Sequence, residues 1–158
     1  MFRNMRRFKQ QISDEECIRI LKKEPRGVLA VKGEDGYPYA FPIDYIYEDG
    51  KIYFHCAKEG HKIDALKKDS KVSFCVYDQG YKKEGDWAFY INSVIVFGRI
   101  RFIKDREESL RRVRDLGRKY YPDQEEADQE AVKYVDRGSV QALELTIDHM
   151  TGKLVHEK

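Results

Sequence analysis

Along this chain, apolar and polar residues alternate with a period of two in several short stretches, and apolar residues recur every three to four positions in others. Ser13 with Glu16 makes a capping box, and Cys17, Ile18 and Leu21 supply an apolar helix face that ends before Pro25. Arg26–Lys32 reads as a strand, Gly33-Glu34-Asp35-Gly36 as a hairpin turn, and Tyr37–Tyr47 as a second strand interrupted by Pro38 and Pro42. After Glu48-Asp49-Gly50, Ile52, Phe54 and Cys56 alternate with Lys51, Tyr53 and His55, which predicts a third strand with one face buried. His61–Lys68 follows as a short helix, with Ile63 and Leu66 three apart on one side. Lys71–Asp78 is a fourth strand, and Gln79–Asp86 a loop rich in Gly and Lys.

A fifth strand begins at Ser93. Val94-Ile95-Val96-Phe97-Gly98 is apolar on both faces and becomes amphipathic through Arg99-Ile100-Arg101-Phe102, so something must cover the second face of its first half. Asp105–Tyr120 predicts a helix with Leu110, Val113, Leu116 and Tyr120 in register, stopped by Pro122; Gln124–Asp136 is a second, more polar helix. Ser139–Ile147 closes the ordered part as a sixth strand, followed by a turn at His149-Met150-Thr151-Gly152-Lys153. Six antiparallel-type strands joined by tight turns predict a mainly β, closed or nearly closed barrel with helices outside. A Rossmann fold needs GxGxxG after a strand and regular βαβ alternation, and the sequence has neither.

Length and charge narrow the functional classes. At 158 residues the chain suits one domain, residues 1–158. Its 30 Lys and Arg nearly balance 28 Asp and Glu, so bulk charge argues for neither nucleic acid nor an anionic membrane as partner. No apolar run reaches bilayer length and the basic N-terminus lacks a following apolar stretch, which predicts a cytoplasmic protein. Cys17, Cys56 and Cys75 are odd in number and form no CxxC pair, as expected of reduced thiols. No metal site is expected: His55 and Cys56 are strand neighbours that point to opposite faces, and no second ligand cluster accompanies His61.

The richest segment chemically is His55-Cys56-Ala57-Lys58-Glu59-Gly60-His61-Lys62, where a strand runs into a helix. Gly60 precedes a helix N-terminus, whose free N–H groups and partial positive charge suit an anion such as phosphate, with Lys62 and the His61 ring adding donors. A plain glycine turn into a solvated helix start fits the same residues.

Taken in order, Arg26-Gly27-Val28-Leu29-Ala30-Val31, Gly36-Tyr37-Pro38-Tyr39-Ala40-Phe41-Pro42-Ile43-Asp44-Tyr45, the stretch Ile52–Lys62 and Ser93–Gly98 resemble the pyridoxamine 5′-phosphate oxidase-like, FMN-binding split-barrel family, in particular its nitroimidazole-resistance (Nim-type) branch. The resemblance implies a six-stranded antiparallel split β-barrel with peripheral helices. It also implies a homodimer that holds a flavin mononucleotide (FMN) in each cleft between barrels and acts as an oxidoreductase on a nitroaromatic or related small-molecule substrate. By this resemblance Gly60, His61 and Lys62 hold the FMN phosphate, and Pro42, Ile43, Asp44 and Tyr45 lie along the isoalloxazine ring. His55, Cys56 and Ala57 border the cleft, and Ser93 reaches the ring from the other subunit. Simpler readings exist for each: Pro42 as an edge-strand proline, Asp44 as a carboxylate satisfying nearby backbone, His55 as an outward strand histidine. No catalytic acid–base set stands out, as expected where a flavin carries the chemistry. The alternatives are a non-catalytic flavin-binding or redox-sensing module, or a split barrel using haem or a deazaflavin.

Overall fold

Five of the six stretches expected as strands each hold one strand, and the other, Tyr37–Tyr47, is broken at Tyr45 into two, in the computed structural model, which describes residues 1–156. In chain order the elements are β1 (Gln11–Ile12), α1 (Asp14–Lys23), β2 (Arg26–Lys32), β3 (Pro38–Asp44), β4 (Ile46–Glu48), β5 (Lys51–Ala57), α2 (His61–Lys68), β6 (Lys71–Tyr77), β7 (Tyr81–Lys82), β8 (Phe89–Ile103), α3 (Arg106–Tyr120), α4 (Gln124–Asp136) and β9 (Val140–His156). All the strand pairs are antiparallel, in the order β3-β2-β6-β8-β9-β5-β4, with β1 added to β9 and β7 to β8. Nine strands therefore replace the six expected, the additions being the short β1, β4 and β7.

The two ends of this sheet, β3 and β4, are consecutive in sequence and separated by Tyr45 alone. The sheet thus curls until its edges meet at one residue, with no ladder between them among the described residues, and the result is a split barrel. Tyr45 is fully buried in that seam, its ring edge-on to Phe74 at 5.0 Å. Inward residues of the long strands, among them Leu29, Phe41, Phe54, Val76, Val94, Val96 and Leu143, fill the barrel. Cys17, Ile20 and Leu21 of α1 join them, so Ile20 rather than the half-buried Ile18 completes that helix face. The α3–α4 hairpin covers the outside of β5 and β9, where Tyr53, Ile103, Leu110, Val113, Ala131 and Ala142 form a second cluster.

β8 and β9 pair from Ile103–Ala142 out to Tyr90–His156, with a bulge at Phe97/Gly98. Gly98 permits it: the carbonyl oxygen of Thr146 and the Leu145 side chain stand where a Cβ would go. Two expectations fail here. Ser93 lies inside β8, which starts at Phe89, and the stretch from His149 to Lys153 is strand rather than turn. The alternation at 149–153 is masked because Gly152 faces inward, tight against Cys17 and Ile12, and leaves no apolar side chain to read.

On the other half of the barrel the outer face is bare. Register sets Pro42, Val28, Cys75, Ile95 and Thr151 side by side in one row across β3-β2-β6-β8-β9, and Ala40, Ala30, Ser73, Phe97 and His149 in the next. Ile95 and Phe97 remain 39% and 37% exposed, whereas Val94 and Val96, which alternate with them along β8, are fully buried. Phe2 stacks on His149 at 4.7 Å and on Phe97 at 5.5 Å beside an open hollow of about 770 Å³ on this face. Among the described residues no helix is long and apolar enough to cross a membrane.

Candidate functional site

Asp44 ends β3 one residue before the seam, and His55 and Ala57 point outward from β5 because Phe54 and Cys56 face the core side. Together with Cys56 they form one wall of a cleft of about 670 Å³. The opposite wall comes from Val113, Leu116, Gly117 and Tyr120 of α3, from the connection Tyr121-Pro122-Asp123, and from Glu126, Ala127, Glu130, Ala131 and Tyr134 of α4. The two helices meet where Gly117 faces Ala127, with room there for ordinary van der Waals contact. Ser139 and Val140, at the start of β9, border the cleft as well.

The end of α3 is fastened to the barrel seam. The Tyr120 hydroxyl accepts from the Tyr45 N–H at 2.8 Å and points at the carbonyl oxygens of Tyr45 and Pro25, both at 2.7 Å. Lys119 Nζ donates to the carbonyl oxygens of Glu24 and Tyr45 at 2.9 Å and lies 3.9 Å from the Tyr45 ring centre. Burial pushes the Lys119 ammonium down to about 8, against the opposing pull of Asp44 and Glu24. Below pH about 8 both folded and unfolded chains hold this proton. Between there and the ordinary value of 10.5 the unfolded chain binds it more, so this group alone adds stability with rising pH across that window, while the thiols of Cys17, Cys56 and Cys75, which burial raises above 9.0, act in the opposite direction. Denaturant melts of wild type and Lys119→Met at about pH 7.5 and about pH 10 check this: the stability of wild type relative to the variant is expected to rise between the two, because the thiol and phenol titrations are common to both.

His55 is solvent-accessible yet crowded within the cleft, and this burial lowers its pKa while Asp44 pulls the other way. The ring is thereby biased to the neutral form, with one nitrogen donating and one accepting. Asp44 itself is tied to Arg26 at 2.7 Å. At the Ala57 end the chain passes through Lys58 and Glu59 to Gly60, whose φ of 131° only glycine adopts freely and whose Cβ position meets nothing within 4 Å. Ser13, Asp105 and Asp123 cap α1, α3 and α4 through their side chains, but α2 has no side-chain cap at Gly60. His61 stacks on Tyr39 at 4.1 Å, and Lys62 Nζ lies over the Phe41 ring at 4.4 Å. Lys62 is near enough to Cys56 to draw its thiol down against the larger, opposing effect of burial.

Of the residues singled out from sequence, Asp44, His55, Cys56 and Ala57 thus share the cleft wall, and Gly60, His61 and Lys62 form the corner beyond its end. Pro42 and Ser93 face outward on the bare sheet instead. The side chains of Ile43 and Tyr45 lie in the core, and both backbone groups of Tyr45 are already held by Tyr120. Sequence reading missed the whole α3–α4 wall. Its one signal was Tyr120-Tyr121-Pro122, two adjacent aromatics at an interhelix turn, since one of the pair must leave the helix face that packs.

A family model described as pyridoxamine 5′-phosphate oxidase matches residues 13–154. The chain belongs to this family. No curated protein matches its sequence significantly. Among solved structures, a candidate 5-nitroimidazole antibiotic resistance protein from Bacteroides thetaiotaomicron superposes with a TM-score of 0.76 at 24% identity, over 92% of this chain and 87% of the other. An FAD-binding protein from Mesorhizobium loti gives 0.65 at 22% identity, over 92% and 97%. The FAD and haem binding protein from Mycobacterium smegmatis gives 0.72 at 20% identity, over 92% and 73%. At these identities the likeness establishes the split-barrel fold that this pyridoxamine 5′-phosphate oxidase family member shares with them.

Proposed function

We propose that this chain is an FMN-binding flavoprotein, an oxidoreductase that reduces nitroaromatic or related small molecules as a homodimer with a flavin at each seam between subunits. The observation that carries the reading is that β5, which with Asp44 supplies the cleft wall His55-Cys56-Ala57, leads through two residues into the α2 terminus at Gly60-His61-Lys62, which has no side-chain cap. One end offers polar groups suited to a heterocycle edge, and the other an uncapped helix start beside a cation, suited to a phosphate. The residues present therefore fit the cofactor. Lys62 and the first N–H groups of α2 would hold the phosphate, Asp44 and neutral His55 would orient the ring system, and the α3–α4 hairpin would exclude water from one side. When bound, a flavin supplies the hydride or electron transfer. The neutral His55 ring can pass a proton through Nδ1 or Nε2 without first shedding a charge.

The bare sheet supports the dimer. Its two rows of small and apolar side chains, from Pro42 to Ile95 and from Ala40 to Phe97, form a flat patch of the kind monomers rarely leave to solvent. Ser93 lies on that face, beside Tyr77, and so belongs to the surface a second subunit would meet.

The visible spectrum of freshly purified protein, its mass by light scattering, and the mass of the cofactor released by heat test the proposal together. Expected are flavin bands, FMN rather than the FAD of two structural neighbours, and twice the chain mass. Bleaching by a reduced nicotinamide nucleotide and recovery on adding a nitroaromatic would support turnover; bleaching without recovery would favour a redox-sensing module. A Soret band, or a colourless monomer that ignores added FMN, would overturn the reading.

A further inference from the structure

The seam between β3 and β4 lacks a ladder, yet the backbone of Tyr45 is not left unpaired. The Tyr120 hydroxyl takes the Tyr45 N–H. Having one proton to give, it donates to the carbonyl oxygen of either Tyr45 or Pro25, which stand at equal distances of 2.7 Å. Lys119 Nζ supplies one donor to the Tyr45 carbonyl oxygen and another to that of Glu24. Two adjacent side chains at the end of α3 therefore do for one residue what a neighbouring strand does elsewhere in the sheet. Through Glu24 and Pro25 they also draw the end of α1 and the start of β2 to the same point.

A second fastening holds α3 about 12 Å back along its axis. There the Arg112 guanidinium lies 3.8 Å from the Tyr53 ring centre and pairs with Glu48, at the far end of β4 from Tyr45. With Arg112 holding the middle of the helix, the contacts of Lys119 and Tyr120 decide where its last turn stands relative to the barrel. Tyr120 lines one wall of the cleft and Asp44, the residue before Tyr45, lines the other. The hydroxyl that grips Tyr45 thus joins the two walls one residue away from the Asp44 carboxylate. Burial pushes this hydroxyl up to about 12; Asp44 adds to the shift, while the hydrogen bond to Tyr45 and the charge of Arg26 oppose it. The ion pair between Asp44 and Arg26 therefore lies beside the hydroxyl.

We infer that Tyr120 is a positioning residue for the cleft: its hydroxyl replaces the missing rung at the seam, fixes Asp44 against the end of α3, and so sets the width of the cleft where a ring system is held. This deepens the flavin reading and rests on it for the identity of the ring; the link between the walls is a property of the chain alone. Lys62 acts at the phosphate end, and Tyr120 acts at the ring end through Asp44.

Tyr120→Phe keeps the aromatic ring and removes the link. The variant without flavin is expected to retain the wild-type far-ultraviolet circular dichroism. Amide hydrogens in the last turn of α3 and the first turn of α4 should exchange at least about tenfold faster, with those of β5 and β9 unchanged. Affinity for FMN and for riboflavin should fall alike, by about tenfold. At saturating flavin the visible circular dichroism of the bound ring should also change, a signal that lost stability alone does not move. In an Asp44→Ala background the same substitution should weaken binding by less than about twofold, because the group it positions is gone. Unaltered exchange and flavin affinity in Tyr120→Phe, or its full effect persisting without Asp44, would overturn the positioning role. Should Tyr120→Phe unfold, the wild-type protein decides: its Tyr45 amide is expected to exchange as slowly as the ladder amides of β5, and rapid exchange there would overturn the link. A wild-type protein that takes up no flavin sinks the flavin reading alone, and the exchange comparison still decides the link.

Discussion

Ile95→Asp is expected to yield a folded monomer that has lost its flavin, whereas Val96→Asp, one residue along the same strand, is expected not to fold. The two side chains sit on opposite faces of β8. Val96 is fully buried in the barrel, where an unpaired carboxylate costs several kcal/mol against a total stability of about 5 to 15 kcal/mol for a domain of this kind. Ile95 is 39% exposed on the bare face, so a charge there stays hydrated in the single subunit and becomes buried only when a second subunit covers the row from Pro42 to Thr151. Light scattering, circular dichroism and flavin absorbance on both variants give the answer. A dimeric Ile95→Asp protein with stoichiometric flavin would place the subunit contact elsewhere.

Lys62→Ala is expected to weaken FMN binding by about tenfold to about a hundredfold, the equivalent of one charge-assisted hydrogen bond at about 1.5 to 3 kcal/mol. Folding stability should change far less, because what Lys62 meets among the described residues is the Phe41 ring, a contact worth about 0.5 to 1 kcal/mol at an accessible site, and the nearby Cys56 thiol. Titration of the apoprotein by flavin fluorescence checks this, with riboflavin as control. Riboflavin lacks the phosphate, so its affinity should not respond to the substitution. An equal loss for both ligands would move the phosphate away from the Gly60-His61-Lys62 corner.

The alternation of Ile52, Phe54 and Cys56 and the capping box at Ser13 made the strands and first helix readable, because each follows from a local period. The segment Asp44 to Lys62 was legible for the same reason: its chemistry is contiguous, a strand end running into a glycine and a helix start. What local pattern could not carry was contact between distant segments. Tyr45 looked like a ring-facing residue, yet it fills the seam where the sheet edges meet, a position set by strand order rather than by its neighbours in sequence. The wall formed by Tyr120, Tyr121 and Glu126 is likewise a product of packing, since helix amphipathicity says which face is covered but not which strand covers it. Val94 to Phe97 gave the one long-range hint, two apolar faces where a barrel wall needs one, and only the register of β2, β3 and β6 shows how far that bare surface extends.

Because the α3–α4 hairpin is inserted between two strands that pair directly from Ile103–Ala142 onward, both of its ends are pinned by the sheet. Mutational drift in the hairpin, above all at Tyr121-Pro122-Asp123, would reshape what the cleft admits while leaving the ladder beneath it intact. Evolution thereby has an exchangeable cassette on a fixed chassis, a route by which one architecture can diversify its clientele without refolding.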